Sequence, residues 1–149
     1  MELDHLNGAR DRFARLAALA RSGKPVIEMR IYVGLDDKDS HEQRWDTEKC
    51  KALMKEVCRT YDTPFSLHLI EGGYFHDDGT WVEENTLVVT LIGTPSRTVY
   101  QIAKEVCTLF NQETVLLTCT PVHCFSVHDD SPELGEDGPA ARGEKGEQP

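Results

Sequence analysis

The sequence has 149 residues, enough for one domain with a buried core, and its 26 acidic and 16 basic residues give a formal net charge of −10. That balance argues against direct binding of nucleic acid or of an anionic membrane through a broad basic face. It is typical of a protein that binds a basic partner, or of a protein whose negative charge simply keeps it soluble. No apolar run reaches the length of a signal peptide or a membrane span, and the five cysteines form no short disulfide framework, so we expect a reducing, cytoplasmic location.

The first 25 residues predict an N-terminal amphipathic helix. Arginines alternate with apolar side chains, and Gly23 and Pro25 end the pattern. The apolar positions at helical spacing are Leu6, Phe13, Leu16, Ala17 and Ala20.

A strand and a helix follow. Apolar residues alternate from Met29 to Leu35, which predicts a half-buried strand. After a polar loop over 36–45, Asp46 or Thr47 is placed to cap a helix. The predicted buried stripe of that helix is Cys50, Leu53, Met54, Val57, Cys58 and Tyr61.

A hairpin and a second helix come next. Pro64 breaks the chain before a strand, and Asp77-Asp78-Gly79 is a turn in which glycine supplies a positive φ. Thr94-Pro95 predicts a cap followed by proline at the first helical position. The second predicted stripe is Val99, Ile102, Ala103, Val106, Cys107 and Phe110.

The end of the chain predicts two strands and a tail. The strands lie around Thr114–Cys119 and Val122–Val127. Residues 129–149 are acidic, rich in glycine and proline, and almost without large apolar side chains, which is typical of a disordered segment.

The order β-α-β-β-α-β predicts an α+β protein of ferredoxin-like architecture, with both helices on one face of an antiparallel sheet, an additional C-terminal strand and an N-terminal helix. We therefore expect three regions, namely an amphipathic helix over 1–25, the ferredoxin-like domain over 26–128 and a disordered acidic tail over 129–149.

In that topology, the loop after the first strand, the hairpin and the loop before the last strand lie at one end of the sheet. We call the carboxylates there the acidic rim, and they could occupy a partner's site for nucleic-acid phosphates or be ordinary solvated loop charges. The acidic rim comprises Asp36, Asp37, Asp39, Glu42, Asp77, Asp78, Glu83, Glu84 and Glu113.

The sheet face away from the helices offers a second candidate site. Arg30, Tyr32, His68 and Thr90 are predicted to project from this open face, where they could hold a small ligand or perform acid–base chemistry. More often such a face is covered, here by the N-terminal helix or a second subunit, and we favour that alternative.

Signatures of catalysis and metal binding are weak. Cys119, His123, Cys124 and His128 have zinc-ligand chemistry, but they contain no CxxC pair, and an extended strand sends the two cysteines to opposite faces. We predict no metal, no cofactor and no catalytic residue.

Three segments resemble a bacterial family of small domains of unknown function. They are Arg30-Ile31-Tyr32-Val33-Gly34-Leu35, then Gly73-Tyr74 with Asp78-Gly79 and Val82-Glu83, then Phe110-Asn111-Gln112-Glu113-Thr114-Val115-Leu116. The resemblance implies a ferredoxin-like fold and supplies no activity. The hairpin segment 71–79 is also similar to small proteins of phages and mobile elements, which implies a role against host defence, such as inhibition of a CRISPR effector.

Two functions remain open. The first is a non-enzymatic acidic binding protein whose rim mimics nucleic acid and blocks a basic, nucleic-acid-handling host protein, acting in the host cytoplasm if phage-encoded. The second is a ligand-binding or enzymatic domain, dimeric, that uses the open sheet face.

Overall fold

The computed structural model describes residues 10–18, 21 and 23–131. Four antiparallel strands lie in the order β2-β3-β1-β4, and two helices connect them. The elements are β1 (Lys24–Gly34), α1 (Thr47–Thr60), β2 (Ser66–Phe75), β3 (Trp81–Ile92), α2 (Ser96–Leu109) and β4 (Leu116–Cys124). This order confirms the ferredoxin-like α+β fold.

The chain divides into two compact units. Val26–Val122 forms the first, and the second comprises the chain up to Pro25 and from His123 onward. In the second unit, residues 10–18 are helical, with Phe13 and Leu16 exposed. The predicted helix positions Leu6 and Ala20, and the predicted tail beyond residue 131, lie outside the described residues. No described helix is long and apolar enough to cross a membrane.

One face of the sheet carries the core. Ile31 is paired with Val89, and Val89 with Leu67, so these side chains share the face that packs against both helices. From α1 the core receives Cys50, Met54, Val57 and Cys58, and from α2 it receives Val99, Ile102, Ala103, Val106 and Phe110. Burial of these stripes stabilises both helices against the sheet.

The two helices begin differently. Of the two predicted caps of α1, Asp46 is the one that forms, because its side chain accepts a hydrogen bond from the backbone of Lys49 at 2.8 Å. The predicted Thr94 cap is wrong, since Pro95 occupies the N-cap of α2 without a side-chain bond. The Thr94 hydroxyl instead lies 2.8 Å from that of Thr63.

The C-terminal strands differ from the prediction. The two expected segments form the single strand β4, which runs through Pro121, and the described residues after Cys124 contain no further strand. Proline lacks an N–H donor, but β4 is an edge strand where one donor can be absent. The first strand also begins earlier than predicted, at Lys24.

Candidate functional site

A buried aspartate organises the loop between β1 and α1. The carboxylate of Asp37 is only 4% exposed and accepts hydrogen bonds from the backbone N–H groups of Asp39 at 2.9 Å and Ser40 at 3.1 Å. Arg44 also pairs with it. Hydrogen bonds to the charged form hold the pKa of Asp37 well below its usual range, with the side chain of Asn111 the largest cause.

The same loop is fastened to the segment that follows α2. Asn111 adopts a positive φ of 47° and donates from Nδ2 to Asp37 at 2.9 Å and to Asp39 at 2.8 Å. Gln112 Nε2 donates to the backbone oxygen of Asp36 at 2.7 Å. These contacts fix the position of Asp36 where the chain leaves the sheet.

A groove of about 480 Å³ opens at this end of the sheet. Its lining includes four carboxylates, two amides, one indole and two glycines. The lining residues are Asp36, Gln43, Glu71, Gly72, Gly73, Trp81, Glu83, Glu84 and Asn85. We call this cavity the end groove.

The loop forms one wall of the end groove and the hairpin another. Gln43 forms an isolated β-bridge with Asp36, and its side-chain oxygen accepts a hydrogen bond from Asn85 at 3.0 Å. The indole of Trp81 covers Gly73, where a Cβ would collide with the ring. Trp81 Nε1 donates to Glu83 at 3.1 Å. Glycine in the strand interior therefore admits an aromatic ring that a larger residue would exclude.

Glu84 is the carboxylate with the most unusual surroundings. Its side chain lies in the space next to Gly34, and its Oε2 accepts the backbone N–H of Asp36 at 3.2 Å. Burial raises the pKa of Glu84, and the nearby charge of Asp36 adds to that increase. Burial also raises the pKa of Asp36, with Glu42 contributing. The two neighbouring carboxyls therefore resist holding two negative charges without a counter-ion.

Aromatic groups adjoin this pair. Burial raises the pKa of Tyr74, and the charges of Glu84 and Asp36 raise it further. The ring of Tyr74 lies 5.3 Å from that of His76, which in turn lies 6.4 Å from His41.

The structure divides the residues of the acidic rim into three groups. Asp37 points into the loop and is nearly buried, so it is not available at the surface. Asp36, Glu83 and Glu84 line the end groove. The exposed remainder is Asp39, Glu42, Asp77, Asp78 and Glu113.

The strand register brings the other candidate set together on the open face. His68 is paired with Val88, which is paired with Tyr32, and Ser66 is paired with Thr90, which is paired with Arg30. Arg30 forms an ion pair with Glu28 at 2.8 Å. Val88 is fully buried although it lies on this face.

Sequence reasoning missed several residues of the end groove: Gln43, Glu71, Gly72, Gly73, Trp81 and Asn85. Two signals were available, namely the glycine pair within a strand and a tryptophan flanking a turn. Neither indicates which polar side chains the loop brings opposite them. Among the described residues, no group of three or more His, Cys, Asp and Glu side chains is arranged to hold a metal ion.

No protein-family model and no curated protein matches the chain. A phage SAM lyase in its apo state is similar, with a TM-score of 0.53 and 21% identity over 73% of this chain and 94% of the lyase. A phage SAM lyase in complex with S-methyl-5'-thioadenosine gives a TM-score of 0.51 and 19% identity over 66% of this chain and 90% of the lyase. CutA from Archaeoglobus fulgidus, a periplasmic divalent cation tolerance protein, gives a TM-score of 0.47 and 12% identity over 66% of this chain and 87% of CutA. The similarity to the two lyase structures, at about 20% identity, shows a shared fold.

Proposed function

We propose that the domain binds a small organic cation with a planar ring in the end groove. The observation that carries this proposal is the carboxylate of Glu84, which is partly buried beside Gly34 next to a second carboxylate, Asp36. The ion pairs of Arg30, Arg44, Lys51 and Arg59 are made with other carboxylates. A bound cation would supply a counter-charge to Glu84 and Asp36.

The charge of the end groove favours such a ligand. Asp36, Glu71, Glu83 and Glu84 all line one cavity of about 480 Å³. Two opposite unit charges about 4 Å apart attract by roughly 4 kcal/mol at the effective dielectric constant of a protein surface, so even partial desolvation makes the attraction substantial.

The remaining lining suits a planar group. Trp81 offers an indole beside the glycine backbone at Gly73, and aromatic faces bind both flat rings and cations. Gln43 donates to the backbone oxygen of Trp45 and accepts from Asn85, which holds the Asn85 amide in place so that its Oδ1 can accept from an amino group on such a ring.

S-adenosylmethionine is the first ligand to test. It combines a sulfonium cation with a flat adenine ring, which is the combination that the lining favours. A solved protein of the same fold, a phage SAM lyase, is in complex with the related molecule S-methyl-5'-thioadenosine.

The test compares S-adenosylmethionine with S-adenosylhomocysteine by titration calorimetry, because the two ligands differ by one methyl group and one positive charge. We expect the cation to bind at least about tenfold more tightly, which corresponds to about 1.4 kcal/mol. Glu84→Gln should remove most of that preference. Glu56→Gln, on the exposed face of α1, is the matched control and should retain it.

Equal affinity for the two ligands, or the same preference in Glu84→Gln as in the unchanged protein, would contradict a cation site at Glu84. Absence of binding by either molecule would reject this ligand class.

A second function is favoured by the carboxylates outside the end groove. Asp39, Glu42, Asp77 and Asp78 are exposed around one end of the domain. They support a non-enzymatic acidic protein that binds a basic nucleic-acid-handling partner, for example a phage or mobile-element inhibitor of a CRISPR effector.

This second function predicts association that slows steeply as salt rises, because screening shortens the reach of exposed charges to about 8 Å at physiological ionic strength. Neutralising Asp77 and Asp78 together should reduce the association rate with a purified basic partner such as a CRISPR effector. Association that does not respond to salt would count against it.

A further inference from the structure

We propose that the outer edge of β2 is an interface at which a second copy of this chain adds a strand. Strand β2 is ten residues long and lies at the end of the sheet, with β3 on one side and no strand of the described chain on the other. A long uncovered edge presents a row of free backbone donors and acceptors, which is a template for strand pairing.

The hydrogen-bond pattern between β2 and β3 determines which residues of β2 direct their backbone groups outward. The N–H of His76 donates to the backbone oxygen of Thr80 at 2.9 Å, so this position is a hydrogen-bonded pair, and such pairs alternate along antiparallel strands. The N–H of Leu35 donates to the backbone oxygen of Asn85 at 2.9 Å, which fits the same alternation on the opposite side of β3. The outward-facing positions of β2 are therefore Leu67, Leu69, Glu71, Gly73 and Phe75.

The two edges of the sheet differ in protection. Strand β4 contains Pro121, which lacks a donor and discourages pairing. Strand β2 contains neither proline nor lysine. Its end bears an exposed aromatic pair, because Phe75 is 69% exposed and lies 4.8 Å from the ring of Trp81, which is 51% exposed.

The charges along β2 are compatible with a second copy as the occupant. Glu71 is the only acidic residue of β2, and β2 contains no lysine or arginine. An antiparallel pairing centred on Leu69 places Glu71 opposite Leu67 of the second copy, so the two carboxylates do not meet. The strongly acidic turn at Asp77 and Asp78 lies beyond the paired segment.

The interface adjoins the end groove, since Glu71, Gly72 and Gly73 belong to both. A second copy would close the outer side of the groove. Self-association itself does not rest on the proposed ligand, so the two proposals can fail separately.

The first experiment measures molar mass by sedimentation over a range of concentrations, without ligand. We expect at least twice the mass of one chain. Glu71→Pro removes one outward donor and leaves the ladder with β3 intact, so it should shift the protein to single chains. Glu71→Gln is the matched control that removes only the charge, and it should remain associated.

Backbone hydrogen exchange on the unchanged protein provides a readout that needs no variant. At high concentration the amides of Leu67, Leu69 and Glu71 should exchange at least about tenfold more slowly than on dilution, because the second copy occupies them. A single-chain mass at all concentrations, or association with no protection of these amides, would overturn the proposal.

Discussion

The carboxylate of Glu84 lies where a side chain on Gly34 would have to be, since a Cβ at Gly34 would come within 2.6 Å of Glu84 Oε1. Gly34 is the last residue of β1, and Glu84 lies on the neighbouring strand β3. The absence of a side chain at one position therefore creates the place for a partly buried charge at the other.

Gly34→Ala tests this relationship directly. The added methyl group must displace the carboxylate, but the carboxylate is the end of a flexible side chain and can rotate into solvent. We therefore expect a small cost in stability and a loss of the burial that raises the pKa of Glu84, which should flatten the pH dependence of the free energy of unfolding. Gly72→Ala is the matched control on the same sheet, because its nearest neighbour would be Thr86 Oγ1 at 3.4 Å, and it should keep the pH dependence of the unchanged protein. The same pH dependence in both variants, measured by denaturant unfolding, would show that Glu84 does not need the space.

Binding of a cation in the end groove should strengthen as pH rises. The pKa values of Glu84 and Asp36 are raised above the ordinary carboxyl value of about 4. At a given pH, each of these groups is therefore more protonated than an exposed carboxyl. Deprotonation at higher pH supplies the charge that a cation needs, and binding should release protons in that window. Titration of S-adenosylmethionine in two buffers of different ionisation enthalpy measures both effects.

The stability of the unliganded protein should change in the opposite direction. The raised pKa of Glu84 means that the folded state favours the protonated form, so the contribution is present below its ordinary pKa and lost as pH rises through the folded value. Glu84→Gln should flatten this part of the stability profile. If the profiles of the variant and the unchanged protein coincide, the burial of Glu84 has no energetic effect.

Asp37→Asn should destabilise the protein at neutral pH. The charged carboxylate accepts hydrogen bonds from two backbone N–H groups and from the side chains of Asn111 and Arg44. The pKa of Asp37 is lowered in the folded state, so its contribution is fully present above the ordinary aspartate value of about 3.9 and is lost as pH falls through the folded value. Denaturant unfolding at neutral and strongly acidic pH should show a difference that narrows in acid. Asp77→Asn, on the exposed hairpin turn, should show little difference at either pH.

The cysteines should react with a thiol reagent in a defined order. Cys119 is exposed and should react first, whereas Cys50 and Cys58 are buried and should react only on unfolding. Burial raises the pKa of Cys58 to about 11, which suppresses its thiolate further. Cys107 was predicted to be buried but is only partly so, and its Sγ donates to the backbone oxygen of Gln112 at 3.2 Å. Mass spectrometry of the labelled protein over time checks this order, and early modification of Cys58 would contradict the packing of α1.

The periodicity of the sequence determined the secondary structure and much of the core. Apolar alternation at Ile31 and Val33, and the helical stripe from Cys50 to Cys58, depend on local chain geometry that short segments specify by themselves. The order of these elements was sufficient to predict the ferredoxin-like fold. The two strands predicted at the C-terminal end are one strand, and only the sheet order shows that it lies at an edge, where Pro121 is tolerated.

The acidic end of the domain shows what sequence could not decide. Asp36, Asp37 and Glu84 are the same kind of group in the sequence, yet Asp37 is paired with Arg44 and accepts a hydrogen bond from Asn111, 74 residues away. Glu84 and Asp36 meet across 48 residues and form one side of the end groove. Local patterns set which residues face inward along a strand or helix, but the environment of a charge depends on partners distant in the chain. Tertiary structure therefore decided which carboxylates are structural, which line a cavity and which remain in solvent.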